Sequence, residues 1–173
     1  MSQVIIAGDT SGTITLQAPA VAGSTTITLP AATGTMMVSG NQPAFSAYAS
    51  AQSSAITSAV DTKVLFDTEI FDTNSNFASS RFTPTVAGYY QINATIRANG
   101  TYTNVALILF KNGANAGYLA SIVTNLITGS SLQYMNGTTD YLEIYVNLTG
   151  TALSVGATNA NTNYFSACLV RTA

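Results

Sequence analysis

The sequence predicts an all-β fold, a sandwich or jelly roll preceded by a small β segment. Three observations predict it. Apolar and polar residues alternate with period 2 in run after run, the runs are short and separated by Gly and Asn turn signals, and charge is scarce. Alternation marks a strand buried on one face, and many short strands of this kind build a sandwich or jelly roll. Only 7% of residues are charged while 47% are hydrophobic, against about 25% charged in ordinary globular chains. So apolar a chain is not disordered, and the missing charge implies a surface covered by an assembly. The 173 residues suit one compact domain with an appendage.

Residues 2–40 hold no aromatic residue and one charge, Asp9. Within them Thr13-Ile14-Thr15-Leu16 and Thr26-Ile27-Thr28-Leu29 form a small internal repeat of expected strands, punctuated by Gly12, Pro19, Gly23, Pro30 and Gly34. Strands so few need neighbours to form a core, and another copy of the chain is the simplest source. Residues 39–43, Ser-Gly-Asn-Gln-Pro, read as a linker, and the Ala- and Ser-rich stretch 49–60 as a loop with at most one helical turn. Val64-Leu65-Phe66 is a short apolar run. From Gly88 to Ala98, Tyr90, Ile92, Ala94 and Ile96 fall on one face and Tyr89, Gln91, Asn93 and Thr95 on the other. Val105 to Phe110 is continuously apolar, as in a strand covered on both faces. Lys111-Asn112-Gly113 is a turn signal, and further strands are expected near 117–124, 127–135, 140–148, 151–156 and 164–170.

Residues 43–173 resemble the globular head of complement and tumour-necrosis-factor-like proteins. The resemblance rests on spaced aromatics: Phe66, then Asp72, then Phe77, followed by Phe82, Gly88, Tyr90 and Ile92. Pro43-Ala44-Phe45-Ser46-Ala47, Lys111-Asn112-Gly113, Leu132-Gln133-Tyr134 and Phe165-Ser166-Ala167-Cys168-Leu169 follow in family order. The spacing between Phe77 and Phe82 is two residues shorter than in the family, Ile92 replaces its final Phe, and Ala94 replaces an aromatic. The resemblance implies a jelly roll that forms a homotrimer. Phe66, Phe82, Tyr90, Ile92, Ile96 and Phe165 would fill the sandwich core, and Tyr89, Gln91 and Asn93 would face the partner subunits. The family's calcium and immune partners do not carry over, because no matching acidic cluster is present. Residues 1–40 resemble a segment that recurs in bacteriophage tail-fibre and virion proteins, through Gly12-Thr13-Ile14-Thr15-Leu16-Gln17-Ala18-Pro19, Thr26-Ile27-Thr28-Leu29-Pro30-Ala31 and Thr33-Gly34-Thr35.

Catalysis has little to stand on. There is no histidine, which removes the commonest general base and metal ligand and leaves Cys168 without a partner for nucleophilic chemistry. Cys168 reads as a buried thiol of the last strand. Asp67, Glu69 and Asp72 cluster, with Asp67 and Glu69 on one strand face, but read as solvated residues beside a turn. The Asp72-x-Asn74-x-Asn76 triplet lacks the glycine and distal Glu of a calcium loop. No cofactor or metal is expected. Tyr102, Tyr118, Tyr134, Tyr141 and Tyr145 could form a sugar-binding surface, with sheet packing and subunit contacts as the plainer role. The Asn-x-Thr triplets at Asn93, Asn99, Asn136 and Asn147 read as chance in a chain so rich in both residues.

The net charge of −2 and the absence of a basic run argue against nucleic-acid binding. No apolar stretch is long enough to span a membrane, and Met1 to Ile6 lack the basic start of a signal peptide. The expectation is therefore a non-enzymatic virion protein made in the host cytoplasm. The first form is a fibre, tail-tip or spike module meeting a host-surface glycan or protein, with residues 1–40 bound to other virion proteins. The second is a capsid decoration protein that stabilises the head. A bacterial adhesin or lectin ranks below both.

Overall fold

The structure is a computed structural model and describes residues 3–21, 23, 24, 26–28, 31, 36, 38, 42–53, 55–156 and 162–173. The chain divides into two compact units, Met1–Met36 and Met37–Ala173. The division falls a few residues ahead of the linker expected at 39–43.

In the first unit, β1 (Gln3–Ala7) pairs antiparallel with β2 (Thr13–Gln17). Val4 lies opposite Leu16 and Ile6 opposite Ile14, so one face of the hairpin is wholly aliphatic. All four residues are more than half exposed. Of the second expected strand, Thr26, Ile27 and Thr28 carry no strand structure; Leu29, Pro30 and Thr33-Gly34-Thr35 lie outside the described residues.

The second unit is all β, with no helix among the described residues. Its strands are β3 (Ala44–Tyr48), β4 (Thr62–Lys63), β5 (Thr68–Asp72), β6 (Phe77–Ala78), β7 (Arg81–Phe82), β8 (Gly88–Lys111), β9 (Ala114–Ser121), β10 (Leu126–Met135), β11 (Leu142–Val155) and β12 (Tyr164–Thr172). They form a jelly-roll sandwich. Sheet I runs β5-β3-β12-β8-β10, and sheet II runs β6-β7-β11-β8-β9 with β4 also on β11.

One strand belongs to both sheets. The alternating run 88–98 and the apolar run 105–110, which the sequence separates, are the two halves of β8, 24 residues long. Its first half pairs with β10 and β12, its second with β11 and β9. In the first half the even residues Tyr90, Ile92, Ala94 and Ile96 point inward; in the second the odd residues Val105, Leu107 and Leu109 do. The switch falls at Gly100 and the bulged register opposite it in β11, where bulges bend a strand and sharpen its twist. Gly100 has φ +108°, and a Cβ there would stand 2.5 Å from the Ala152 carbonyl oxygen. Gly100→Ala is expected to lower stability by more than about 1 kcal/mol, read as a lower urea midpoint; an unchanged midpoint would show that the crossing tolerates a side chain.

The two late runs 140–148 and 151–156 likewise merge into β11, through the same bulges. The Asn-Gly turn joins β8 to β9 with positive φ at both Asn112 (+54°) and Gly113 (+78°), the geometry a two-residue hairpin favours. Val64-Leu65-Phe66 is not a ladder strand, although Val64 and Phe66 are buried and Leu65 points out. Segment 49–60 forms no helix among its described residues. It lies along β11, with Ser53, Ile56 and Ala59 donating backbone N–H groups to Val155, Leu153 and Leu148.

The core lies between the sheets. Phe45, Phe77, Phe82 and Phe165 meet there, with Phe45 centroids 4.5–4.8 Å from the other three. Phe66, Phe82, Tyr90, Ile92, Ile96 and Phe165 are all buried in this core. The Tyr90 hydroxyl donates to the Val86 carbonyl at 2.7 Å, so its one polar atom is satisfied, and burial pushes its pKa up to about 12.

Candidate functional site

Two opposite faces remain after the core is filled. The outward face of sheet I is ordered in rows by strand register. Tyr134 lies beside Tyr89, Leu132 beside Gln91, Ser130 beside Asn93, and Thr128 beside Thr95. Across β12 and β3, Gln91 continues to Cys168 and Ala44, and Asn93 to Ser166 and Ser46. The strands β3, β10 and β12 and the sheet I half of β8 contain no acidic residue. Tyr89, Leu132 and Tyr134 are 42%, 55% and 43% exposed, and the Tyr89 and Tyr134 rings lie 5.5 Å apart. Within the second unit this is a charge-poor surface that leaves two tyrosines and a leucine exposed. Cys168 belongs to it: contrary to the expected burial, its thiol is exposed, because Phe165, Ala167 and Leu169 take the inward positions of β12.

The outward face of sheet II holds charge and aromatic rings. Phe110 stacks on Tyr145 with centroids 3.9 Å apart. Glu143, 3% exposed, accepts from Lys63 Nζ at 2.7 Å and Arg81 Nε at 2.9 Å. Burial pushes its carboxyl up, but the hydrogen bonds and charges of Lys63 and Arg81 together outweigh that and hold it below the ordinary glutamate value. Asp140 accepts from Asn112 Nδ2, the Asn136 N–H and Lys111 Nζ, which ties the β8–β9 turn to the β10–β11 loop.

Of the three carboxylates that cluster in the sequence, Asp67 and Asp72 are held in separate turns. Asp67 precedes β5 rather than sharing its face with Glu69, and accepts from the Ser50 N–H and hydroxyl at 2.8 and 2.7 Å. Asp72 accepts from the Phe77 N–H at 2.7 Å. Among the described residues no group of three or more acidic, Cys or His side chains is placed to hold a metal ion. The five tyrosines do not share one surface. Tyr134 lies on sheet I, Tyr118 and Tyr145 flank Ile108 on sheet II, Tyr141 stacks under Arg81, and Tyr102 packs against the core.

Hydrogen bonds from Asn112 and the Asn136 backbone, with Lys111 beside them, hold Asp140 below the ordinary aspartate value against the opposing effect of burial. The Ser50 hydrogen bonds do the same for Asp67. A depressed folded-state pKa stabilises the fold above the unfolded value, near 3.9 for Asp and 4.3 for Glu, and that stability is lost as pH falls through the folded value. Unfolding midpoints in urea are expected to be level from about pH 8 to 5 and to fall below about pH 4. Asp140→Asn should flatten that acid slope; a slope as steep as the parent's would remove Asp140 from the account.

The strand order permits comparison with known folds. Murine APRIL, of the tumour-necrosis-factor family, superposes with a TM-score of 0.54 at 7% identity, covering 75% of this chain and 99% of its own. Vertex protein P5 of phage PRD1 superposes with a TM-score of 0.53 at 18% identity, covering 75% of this chain and 97% of its own. The fold is the tumour-necrosis-factor-like jelly roll. At these identities the likeness is one of fold. No protein-family model matches the chain, and no curated protein matches it in sequence.

Proposed function

We propose that this chain is a non-enzymatic, homotrimeric surface protein of a bacteriophage particle, a spike or fibre-tip module whose sheet II side meets the host. The outward face of sheet I carries the reading. It exposes Tyr89, Leu132 and Tyr134 beside Gln91 and Asn93, and its central strands bring no acid to it. Such a face is poor in the charges that subunit interfaces exclude and would be costly to leave in water. In a closed threefold arrangement each copy covers its neighbour's face. The likeness to a phage vertex protein and the Thr-rich repeat of residues 1–40 support the virion setting. The bare aliphatic face of the β1–β2 hairpin supports attachment there, since an isolated two-stranded ribbon is marginal in water and is stabilised by a virion partner or by the other copies.

Native mass spectrometry tests the trimer: the expected species is about three times the 17.9 kDa chain, and a stable monomer at micromolar concentration ends the reading. Labelling on intact particles tests the position. Signal at vertices or the tail tip supports a spike or fibre, whereas signal spread over the shell identifies a decoration protein.

A further inference from the structure

Lys63 and Arg81 are two of the five basic residues in the chain, and both turn to one carboxylate, Glu143. One buried acid neutralises one cation. The pair therefore leaves a surplus positive charge on a protein of net charge −2. It leaves it in one place, because Lys63 and Arg81 line the same surface depression of about 460 Å³.

Arg81 is held in a defined pose. Its Nε donates to Glu143, and its guanidinium carbon sits 3.8 Å from the centroid of the Tyr141 ring. Its terminal amino groups make no hydrogen bond among the described residues, and its side chain is 44% exposed. A guanidinium fixed along one edge and one face presents its remaining donors as a ready fork for an oxyanion. Lys63 stands beside it, with Nζ also donating to the Ser79 carbonyl. The rest of the wall carries hydroxyls, from Ser75, Ser79, Thr83 and Thr85. Ser75 and Ser79 hold left-handed backbone conformations, φ +53° and +51°, which non-glycine residues adopt at a cost.

We infer that this depression is a binding subsite for an acidic sugar, with Arg81 and Lys63 taking its carboxylate or phosphate and the Ser and Thr hydroxyls its ring hydroxyls. The subsite lies on sheet II, opposite the face assigned to the trimer. It deepens the host-contact reading and rests on it for the source of such sugars.

Saturation-transfer NMR on the intact protein tests it, with glucuronate and glucose 6-phosphate as probes and glucose as the neutral control. Transfer to the acidic probes, weakening as salt rises, is the expected result. Glucuronate alone would mark a carboxylate-bearing sugar and glucose 6-phosphate alone a phosphate-bearing one; either supports the subsite. Arg81→Gln should abolish the signal. Arg81→Lys keeps a cation beside Glu143 and so guards against misfolding, and should weaken binding about tenfold through loss of the fork. Equal transfer to glucose, no transfer to any probe, or Arg81→Lys binding as the parent does would overturn the inference. Native mass is recorded on the same samples. A monomer that binds defeats only the trimer reading, and a trimer that does not bind defeats only the subsite.

Discussion

Phe45→Ala is expected to cost about 3–5 kcal/mol, a large part of the roughly 5–15 kcal/mol that holds a typical domain folded. Phe45 is fully buried and stands where the two sheets meet. It comes from β3 of sheet I and stacks on Phe77 of β6 and Phe82 of β7 in sheet II, with interplanar angles of 13° and 26°. Phe165 of β12 meets it edge-on at 87°. Truncation removes the ring that three others pack against, and strands on both sheets hold the vacated space open. Urea unfolding at a fixed protomer concentration checks this, because the proposed assembly would make apparent stability depend on concentration. A loss below about 1 kcal/mol would show that the neighbours collapse into the space and that the cluster is not the centre of the core.

Leu132→Asp is expected to turn the proposed trimer into monomers without unfolding them. Leu132 is 55% exposed in the single chain and lies opposite Gln91 in the β10–β8 ladder, so the isolated fold loses little by the change. In the proposed trimer it places three carboxylates on a face whose central strands carry no acid and few cations: Lys111, tied to Asp140, lies 5.8 Å from the Tyr134 ring, and Arg97 and Arg171 stand at opposite ends of the ladder. Burying unpaired charge costs several kcal/mol, and a hundredfold weaker association takes only about 2.7 kcal/mol. Native mass and circular dichroism read the two halves of the claim. A variant that stays trimeric would move the subunit contact away from sheet I. Glu143→Leu is not an equivalent control, since Lys63 and Arg81 both depend on that carboxylate.

The sequence made the sandwich legible wherever one strand kept one face inward. Tyr90, Ile92, Ala94 and Ile96 announce their burial by spacing alone, and Asn112-Gly113 announces its turn by backbone chemistry. The same logic failed at β8. Gly100 to Asn104 is polar and glycine-bearing, so it resembles a break between strands, whereas it is the place where one strand changes sheets and its inward parity reverses. Residue type alone argues burial for Cys168, while its outward position in β12 decides its exposure. The Lys63–Arg81–Glu143 group had no signal in the sequence. These residues are far apart in the chain and meet only because β4 and β7 both add to the edge of β11. The tyrosines show the converse: five similar residues invite one surface, and strand parity sends them to different ones.

The strand shared by both sheets also sets the order in which the chain can acquire its structure. β8 cannot complete sheet I until β12 arrives, since β12 is inserted between β8 and β3, pairing Cys168 with Ala44. At about 5–20 residues per second of synthesis, that closure follows the emergence of β8 by seconds. During that wait a long apolar strand has one edge open. Contacts so remote in sequence also close slowly. Chaperone shielding of nascent chains, or slow expression in the cold, should therefore raise the yield of folded protein.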